Sequence, residues 1–296
     1  MRAIVTGGCG FIGSHLVDRL VTEGWDVIVI DNETADANDV FFKNHKAKYF
    51  KYDVCSHSAR ELFVGVDYVF HLAAESRIGP CIEDPMIACS TNVLGTCNLL
   101  EAARENGVKR FVYSSTSACY GLSDQIPMSE DLPLDNLNPY STSKLAGEDL
   151  CNMYTKLYGL ETVSLRYFNV FGERMPETGQ YAPVIAIFQR QIRSGNKMTI
   201  VGDGLQQRDF VYVKDVVDAN MKAAFCGSDY CGTAYNVGSG ENISVLEIAK
   251  LLDKDYEHIP PRDGEARTTK ADIAKISQIG WKPTVNVVDW ISKCES

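Results

Sequence analysis

The sequence predicts an α/β fold, a Rossmann-like doubly wound parallel sheet with a smaller α/β substrate-binding region in its C-terminal part. Three observations carry that expectation. Short apolar runs at 2–6, 27–30, 67–72 and 109–114, rich in Val, Ile, Phe and Tyr, alternate with longer amphipathic stretches at 11–23, 87–106 and 140–158. Such alternation is the mark of parallel strands linked by crossover helices. A glycine-rich turn, Thr6-Gly7-Gly8-Cys9-Gly10-Phe11-Ile12-Gly13, joins the first run to the first stretch. After about residue 168 the pattern loosens, interrupted by Gly202-Asp203-Gly204 and Gly238-Ser239-Gly240. The 296 residues, 45% of them hydrophobic, suffice for one large domain or two unequal ones. We expect 1–167, joined by part of 207–235, to form a dinucleotide-binding domain. Residues 168–296 form a smaller domain packed directly onto it across a cleft.

Lys and Arg number 29 against 39 Asp and Glu, a net charge of −10. That balance argues against a nucleic-acid or membrane-surface partner. It leaves room for a small anionic ligand held by a few arginines and helix N-termini. No apolar run is long enough to span a bilayer, and Met1–Val5 enters the strand pattern without the apolar stretch of a signal peptide. The ten cysteines are scattered, with no C-x-x-C pair and no His beside them. Cys89 and Cys97 fall in a helix-like stretch and Cys119 after a strand. We expect reduced, mostly buried thiols in a cytosolic protein, without disulfides or metal.

Gly7, Gly10 and Gly13 allow a tight turn, close backbone approach to a pyrophosphate and a helix N-terminus facing the phosphates. A glycine triplet alone also suits an ordinary strand-to-helix turn; its place at the head of a βαβ pattern favours the phosphate role. The second strand ends in Asp31-Asn32, about 20 residues beyond the glycines. A carboxylate there accepts the ribose hydroxyls and repels a 2′-phosphate, so NAD is favoured over NADP, although Asp31 could also be a turn residue. Asp53, with Val54, follows the apolar stretch 47–52 and can reach the adenine.

Tyr140 and Lys144, four apart, share one helical face, and theirs is the only Y-x-x-x-K among 14 tyrosines. There the ammonium can lower the tyrosine pKa and hold a dinucleotide ribose. The hydroxyls of Ser114, Ser115 and Thr116 sit at the C-terminal edge of a strand, where ligands bind in open α/β sheets.

The set Thr6–Gly13, His71-Leu72-Ala73-Ala74, Asn92-x-x-Gly95-Thr96, Ser114–Gly121 and Tyr140-x-x-x-Lys144 resembles the extended short-chain dehydrogenase/reductase superfamily. Its nearest branch is the UDP-glucose and UDP-N-acetylglucosamine 4-epimerases. Arg166–Gly172, Gly202-Asp203-Gly204 with Arg208-Asp209-Phe210, and Arg262-x-Gly264-Glu265 resemble the nucleotide-sugar half of those enzymes. The resemblance implies an NAD cofactor and a UDP-sugar substrate. It adds Phe11, Ile12, Leu72, Ala73, Ala74, Asn92, Ser114 and Tyr167 to the cofactor site. It makes Tyr140 the general base on the sugar 4-hydroxyl, its pKa held low by Lys144 and a positive nicotinamide. Thr116 bridges the phenol and the sugar oxygen, with Ser115 beside it. Asn169 and Arg208 resemble residues that hold the UDP diphosphate, and Arg262 with Glu265 those near the diphosphate and uridine ribose. Arg208 could instead pair with Asp209, and Tyr167 could be core.

Related dehydratases carry an Asp-Glu pair directly after the catalytic threonine, and UDP-glucuronate decarboxylases a glutamate two positions after it. This chain reads Thr116-Ser117-Ala118. Hydride return to the other face of a 4-keto sugar, epimerisation, is then the simplest outcome. A UDP-glucuronate 4-epimerase, a lyase of the superfamily and a non-catalytic NAD sensor are the alternatives. Thr269 falls where epimerases place a residue bordering the sugar; a small side chain there implies room for a 2-acetamido group. Ser76 and Val170 depart from the family pattern, replacing a lysine near the pyrophosphate and a frequent proline. Family members often dimerise by pairing the helices that correspond to 87–106 and 140–158 into a four-helix bundle.

Overall fold

The computed structural model describes residues 1–35, 40–178, 182–252, 254–261 and 266–294. Seven strands form one parallel sheet. β1 (Arg2–Thr6) lies between β2 (Asp26–Ile30) and β4 (Tyr68–His71), with Ile4 opposite both Ile28 and Val69. β3 (Lys48–Phe50) closes one edge beyond β2. On the other side of β4 come β5 (Arg110–Thr116), β6 (Thr162–Tyr167) and the strand Thr233–Val237. All seven residues of β5 and all six of β6 are buried, the consequence of helices on both faces, and this is why these strands read as continuous rather than alternating apolar runs. Strand order reverses between β1 and β4, which opens a crevice at their carboxyl ends.

On one face the first helix (Phe11–Thr22) and the helix Val213–Phe225 pack with Trp25 and Trp281 over Val5, Val112 and Leu165. On the other, the helices Gly95–Glu105 and Pro139–Tyr158 cover Ile4, Val69 and Phe111. A third apolar cluster, with Phe171, Ile185, Phe188, Ile200, Ile248 and Ile291, supports the smaller C-terminal part. The chain leaves the sheet after β6 and returns to it with Val213–Phe225 and Thr233–Val237. Among the described residues no helix is long and apolar enough to cross a membrane.

The stretch 87–106 is not one regular helix. A short helix Pro85–Ala88 passes into a π-helical turn, Cys89–Leu94, before Gly95–Glu105. The wider turn re-aims side chains. It carries Asn92 inward to 1% exposure. A Cβ at Gly95 would stand 2.5 Å from Val54 Cγ2, so only glycine lets the helix lie this close. Of the cysteines with described side chains, Cys9, Cys81, Cys119 and Cys151 are buried, but Cys89 is exposed and the others are half-buried, a correction to the expectation of mostly buried thiols; all nine are free.

Candidate active site

The glycine turn lies at the switch point. Gly7 has φ +67°, and a Cβ there would meet Ala73 N at 2.7 Å; one on Gly13 would meet the Gly7 carbonyl oxygen at 2.1 Å. Gly10 caps the first helix without a side chain. The first-turn N–H groups of Phe11, Ile12 and Gly13 therefore face the crevice with the positive end of the helix dipole. This cradle fits a pyrophosphate. Asp31, at the end of β2, accepts from Cys9 N (2.9 Å) and Glu33 N (2.8 Å), tying the glycine loop to its neighbouring strand and keeping lone pairs for a ribose. Asn32 donates to Asp53 (3.2 Å), whose other oxygen accepts from Cys55 N, and Val54 is buried.

The motif residues Thr6, His71 and Thr96 meet in a hydrogen-bonded chain that their spacing did not show. Thr96 gives its single hydroxyl proton to the Asn92 carbonyl (2.6 Å), so at 2.9 Å it accepts from His71 Nε2–H. His71 Nδ1 then accepts from the Thr6 hydroxyl (2.7 Å), and Thr6 Oγ1 accepts from Ala73 N–H (3.1 Å). The chain of bonds sets the tautomer and locks the ends of β1 and β4 together, with Leu72, Ala73 and Ala74 along the rim. Burial, reinforced by the charge of Lys144, drives His71 down to about 3, so it stays neutral. Asn92 uses both amide protons inside the protein, on the Glu75 carbonyl (3.0 Å) and Ser143 Oγ (2.9 Å), and accepts from Glu75 N. Its contribution to a cofactor site is to hold the 73–75 rim.

Tyr140 and Lys144 start the helix Pro139–Tyr158. Asn138 and Ser141 form a reciprocal capping box and Pro139 occupies the first turn. The phenol thus belongs to the helix's positive end, which favours its ionised form. Thr116, the last residue of β5, accepts from Ala118 N (3.1 Å) and lies beside the Tyr140 phenol, whose ionised form it favours. Lys144 is 3% exposed, its ammonium 4.4 Å from the centroid of the Tyr113 ring. Tyr113 in turn donates to the Lys144 carbonyl at 3.2 Å.

Burial pushes Tyr140 up to about 12; Thr116 opposes this, while Cys81, Cys119 and Glu75 add to it. A cation bound beside the phenol would oppose the effect of burial. Burial lowers Lys144 itself to about 8, against the charge of Glu148. A lysine depressed from 10.5 in the fold is a stability cost below pH 8 that fades as pH rises toward 10.5. Lys144→Met should stabilise the cofactor-free protein at pH 7 by up to about 3 kcal/mol, a gain that disappears above pH 10.5. Urea unfolding at the two pH values checks this; an equal change at both would contradict it.

Ser114 and Tyr167 share a hydrogen bond (2.9 Å), and Asn220 donates to the Tyr167 hydroxyl (2.8 Å), so Tyr167 is a buried core residue as well as a neighbour of the crevice. Ser115 takes a different job from the expected substrate contact. Its proton goes to Glu148, which also receives a two-pronged bond from Arg166 (2.8 and 2.9 Å). Arg166 continues to the Tyr120 hydroxyl (3.0 Å), and Tyr120 donates to Asn236 (2.7 Å). This buried network lies one helical turn beyond Lys144 and immediately before Thr116.

Of the residues expected to hold a nucleotide sugar, the described Asn169, Arg208 and Thr269 gather around Asp209. Asn169, the first residue of the strand Asn169–Phe171, donates to the Asp209 carbonyl (2.8 Å); Thr269 Oγ1 accepts from Asp209 N (3.3 Å); Arg208 precedes Asp209. The Asp209 carboxylate is fully buried and accepts from Ser239 N and Oγ, Gly240 N and Ala271 N at 2.6–3.0 Å. It is therefore a hub for three loops rather than a surface ion pair with Arg208. The sequence placed Asp209 inside a motif, but its partners lie 30 to 62 residues away and left no local signal. Arg262 and Glu265 lie outside the described residues.

A glycine cradle at the switch point and a Thr–Tyr–Lys set at the same sheet edge define a dinucleotide-dependent enzyme of the Rossmann type. The model of the NAD dependent epimerase/dehydratase family matches residues 3–238, and the chain belongs to that family. It is 37% identical to a putative UDP-glucose 4-epimerase of Methanocaldococcus jannaschii over 98% of this chain and 96% of that one. It superimposes with a TM-score of 0.92 on the Thermotoga maritima UDP-glucose 4-epimerase with UDP-glucose, at 35% identity over 99% and 96% of the chains. It matches equally the UDP-N-acetylglucosamine 4-epimerase of Methanobrevibacter ruminantium in complex with UDP-N-acetylmuramic acid, at 32% identity, 99% and 96% coverage and TM-score 0.92.

Proposed function

We propose that this protein is an NAD-dependent 4-epimerase of UDP-hexoses, acting through a 4-keto sugar. The observation that carries the reading is the meeting of Thr116, Tyr140 and Lys144 beside the glycine cradle, with Ser117-Ala118 offering no carboxylate for elimination or decarboxylation. The carboxylates nearest this set are engaged: Glu148 with Arg166, Glu75 with Arg77, and Glu130 with Asn236 N.

NAD held by the cradle, Asp31 and Lys144 supplies the positive ring that lowers the phenol pKa and the redox capacity for oxidation at C4. Tyr140 takes the 4-hydroxyl proton, relayed across Thr116, as C4 becomes a carbonyl. That carbon is then planar and has no configuration. Asn169, Arg208, Arg262 and Glu265 keep the UDP anchored, so the sugar can present its other face while Tyr140 holds the proton to be returned. Arginine's planar fork suits the diphosphate. Incubation with UDP-glucose, UDP-N-acetylglucosamine and UDP-glucuronate tests the class. The expected products keep the mass and invert C4; loss of water or carbon dioxide would replace the reading with a lyase.

The small Thr269 beside Arg208 favours acceptance of both UDP-glucose/galactose and their 2-acetamido counterparts. Thr269→Tyr should suppress turnover of the acetamido sugars by about tenfold or more and spare the plain ones; equal loss of both would count against it.

We place the enzyme in the cytoplasm as a homodimer. Free cysteines suit a reducing compartment. Ile82, Met86, Ile87 and Leu94 on the segment before Gly95–Glu105, and Leu157 and Tyr158 on the long helix, are exposed by 40–71%. That is an apolar surface of the kind a bundle buries. Met86→Glu with Leu94→Glu should halve the sedimenting mass without unfolding the chain; an unchanged mass would remove this face from the interface.

A further inference from the structure

We propose that Cys226 and Cys231 form a peroxide-reactive dithiol, in which Cys226 is the attacking thiol and Cys231 resolves it to a disulfide. Cys226 ends the helix Val213–Phe225, where carbonyls would ordinarily disfavour a thiolate. Arg110, 5% exposed at the start of β5, reverses that field. Its guanidinium donates to the Ala223 carbonyl (2.7 Å), the Cys226 carbonyl (2.9 Å) and Cys226 Sγ (3.0 Å). The turn Ser228–Tyr230, closed by Tyr230 N and Cys231 N bonds to Gly227 and Ser228, folds Cys231 back beside Cys226; the two side chains pack on one apolar cluster, and their thiols donate to the Gly227 (3.8 Å) and Ala223 (3.3 Å) carbonyls. Both sulfurs are half-buried and within the field of Arg110.

The neighbouring Cys231 thiol, with Arg110, lowers the Cys226 pKa against the effect of burial, while Cys226 and burial raise that of Cys231. Low pKa beside an arginine is the setting of reactive thiols, and a neighbouring thiol is what resolves them. The Cys226 thiolate attacks one oxygen of hydrogen peroxide, the O–O bond breaks, and the hydroxide released takes up the proton that Cys226 gave to solvent on ionising, leaving a sulfenic acid and one water. Cys231 Sγ then attacks the Cys226 sulfur; the S–O bond breaks and water leaves with the Cys231 proton. Two thiols are oxidised by two electrons and one peroxide is reduced to two waters. The site lies at the sheet edge opposite Tyr140, so its chemistry is independent of which substrate the enzyme takes.

The test treats the full-length protein with stoichiometric hydrogen peroxide at neutral pH, blocks remaining thiols with N-ethylmaleimide and digests with trypsin. The peptide 223–250 contains Cys226, Cys231 and no other cysteine. It should lose two hydrogens and escape alkylation about tenfold faster than the exposed Cys89 oxidises, and recover on treatment with dithiothreitol. In Cys231→Ser, Cys226 should stop at a sulfenic acid trapped by dimedone; in Cys226→Ser, Cys231 should react no faster than Cys89. Oxidation of Cys226 at the Cys89 rate, or disulfides to other cysteines in its place, would overturn the proposal.

Discussion

Tyr140→Phe is expected to lower kcat by about 10³-fold, the scale of a positioned acid–base group, with the bound dinucleotide retained. The change removes one oxygen and leaves the ring in place. That oxygen is the atom beside Thr116, carried on the first turn of the Pro139–Tyr158 helix. KM should move little, because UDP is anchored in this reading at Asn169 and Arg208, on other elements. Steady-state kinetics of the purified variant, with its dinucleotide content measured alongside, separates the outcomes. A loss below about tenfold would show that another group moves the proton, and unchanged function would favour a dinucleotide sensor over an enzyme.

The second large effect is on stability. Glu148 and Arg166 are both under 8% exposed and joined by three hydrogen bonds of 2.8–3.2 Å, with Ser115 completing the carboxylate's shell. Removing one partner leaves a buried charge without compensation. Glu148→Ala should therefore lower unfolding free energy by about 3–5 kcal/mol, seen as a lower urea midpoint at unchanged slope. Turnover should fall as well, since the lost network positions Thr116 and the helix that carries Lys144. Glu148→Leu combined with Arg166→Met should recover part of the stability, because an apolar pair needs no desolvation of charge. A single-variant cost under about 1 kcal/mol would refute the reasoning.

The periodic features were legible. Continuous apolar runs marked the buried strands, the glycine triplet marked the switch-point turn, and Tyr140 with Lys144 marked the reacting end, because each depends on neighbours close in the chain. What the residues hid depends on distant partners. Asp209 reads as one acid in an Arg-Asp-Phe triplet, yet it binds backbone groups of Ser239, Gly240 and Ala271. Ser115 and Thr116 are adjacent hydroxyls, and nothing local shows that the first gives its proton to Glu148 while the second accepts from Ala118 N. Asn92 reads as a polar helix residue until the π-helical turn carries it beneath Glu75. Spacing put a cation four residues from Tyr140, but could not show that this cation lies over Tyr113 or that desolvation dominates the phenol.

The most direct test of hydrogen removal and return at one sugar carbon uses UDP-glucose carrying deuterium at C4. The expected product is UDP-galactose of the same mass with deuterium still on C4, formed by the wild-type chain and suppressed in Tyr140→Phe. Recovery of the starting sugar with its configuration intact, or inversion with the label lost to solvent, would contradict the account.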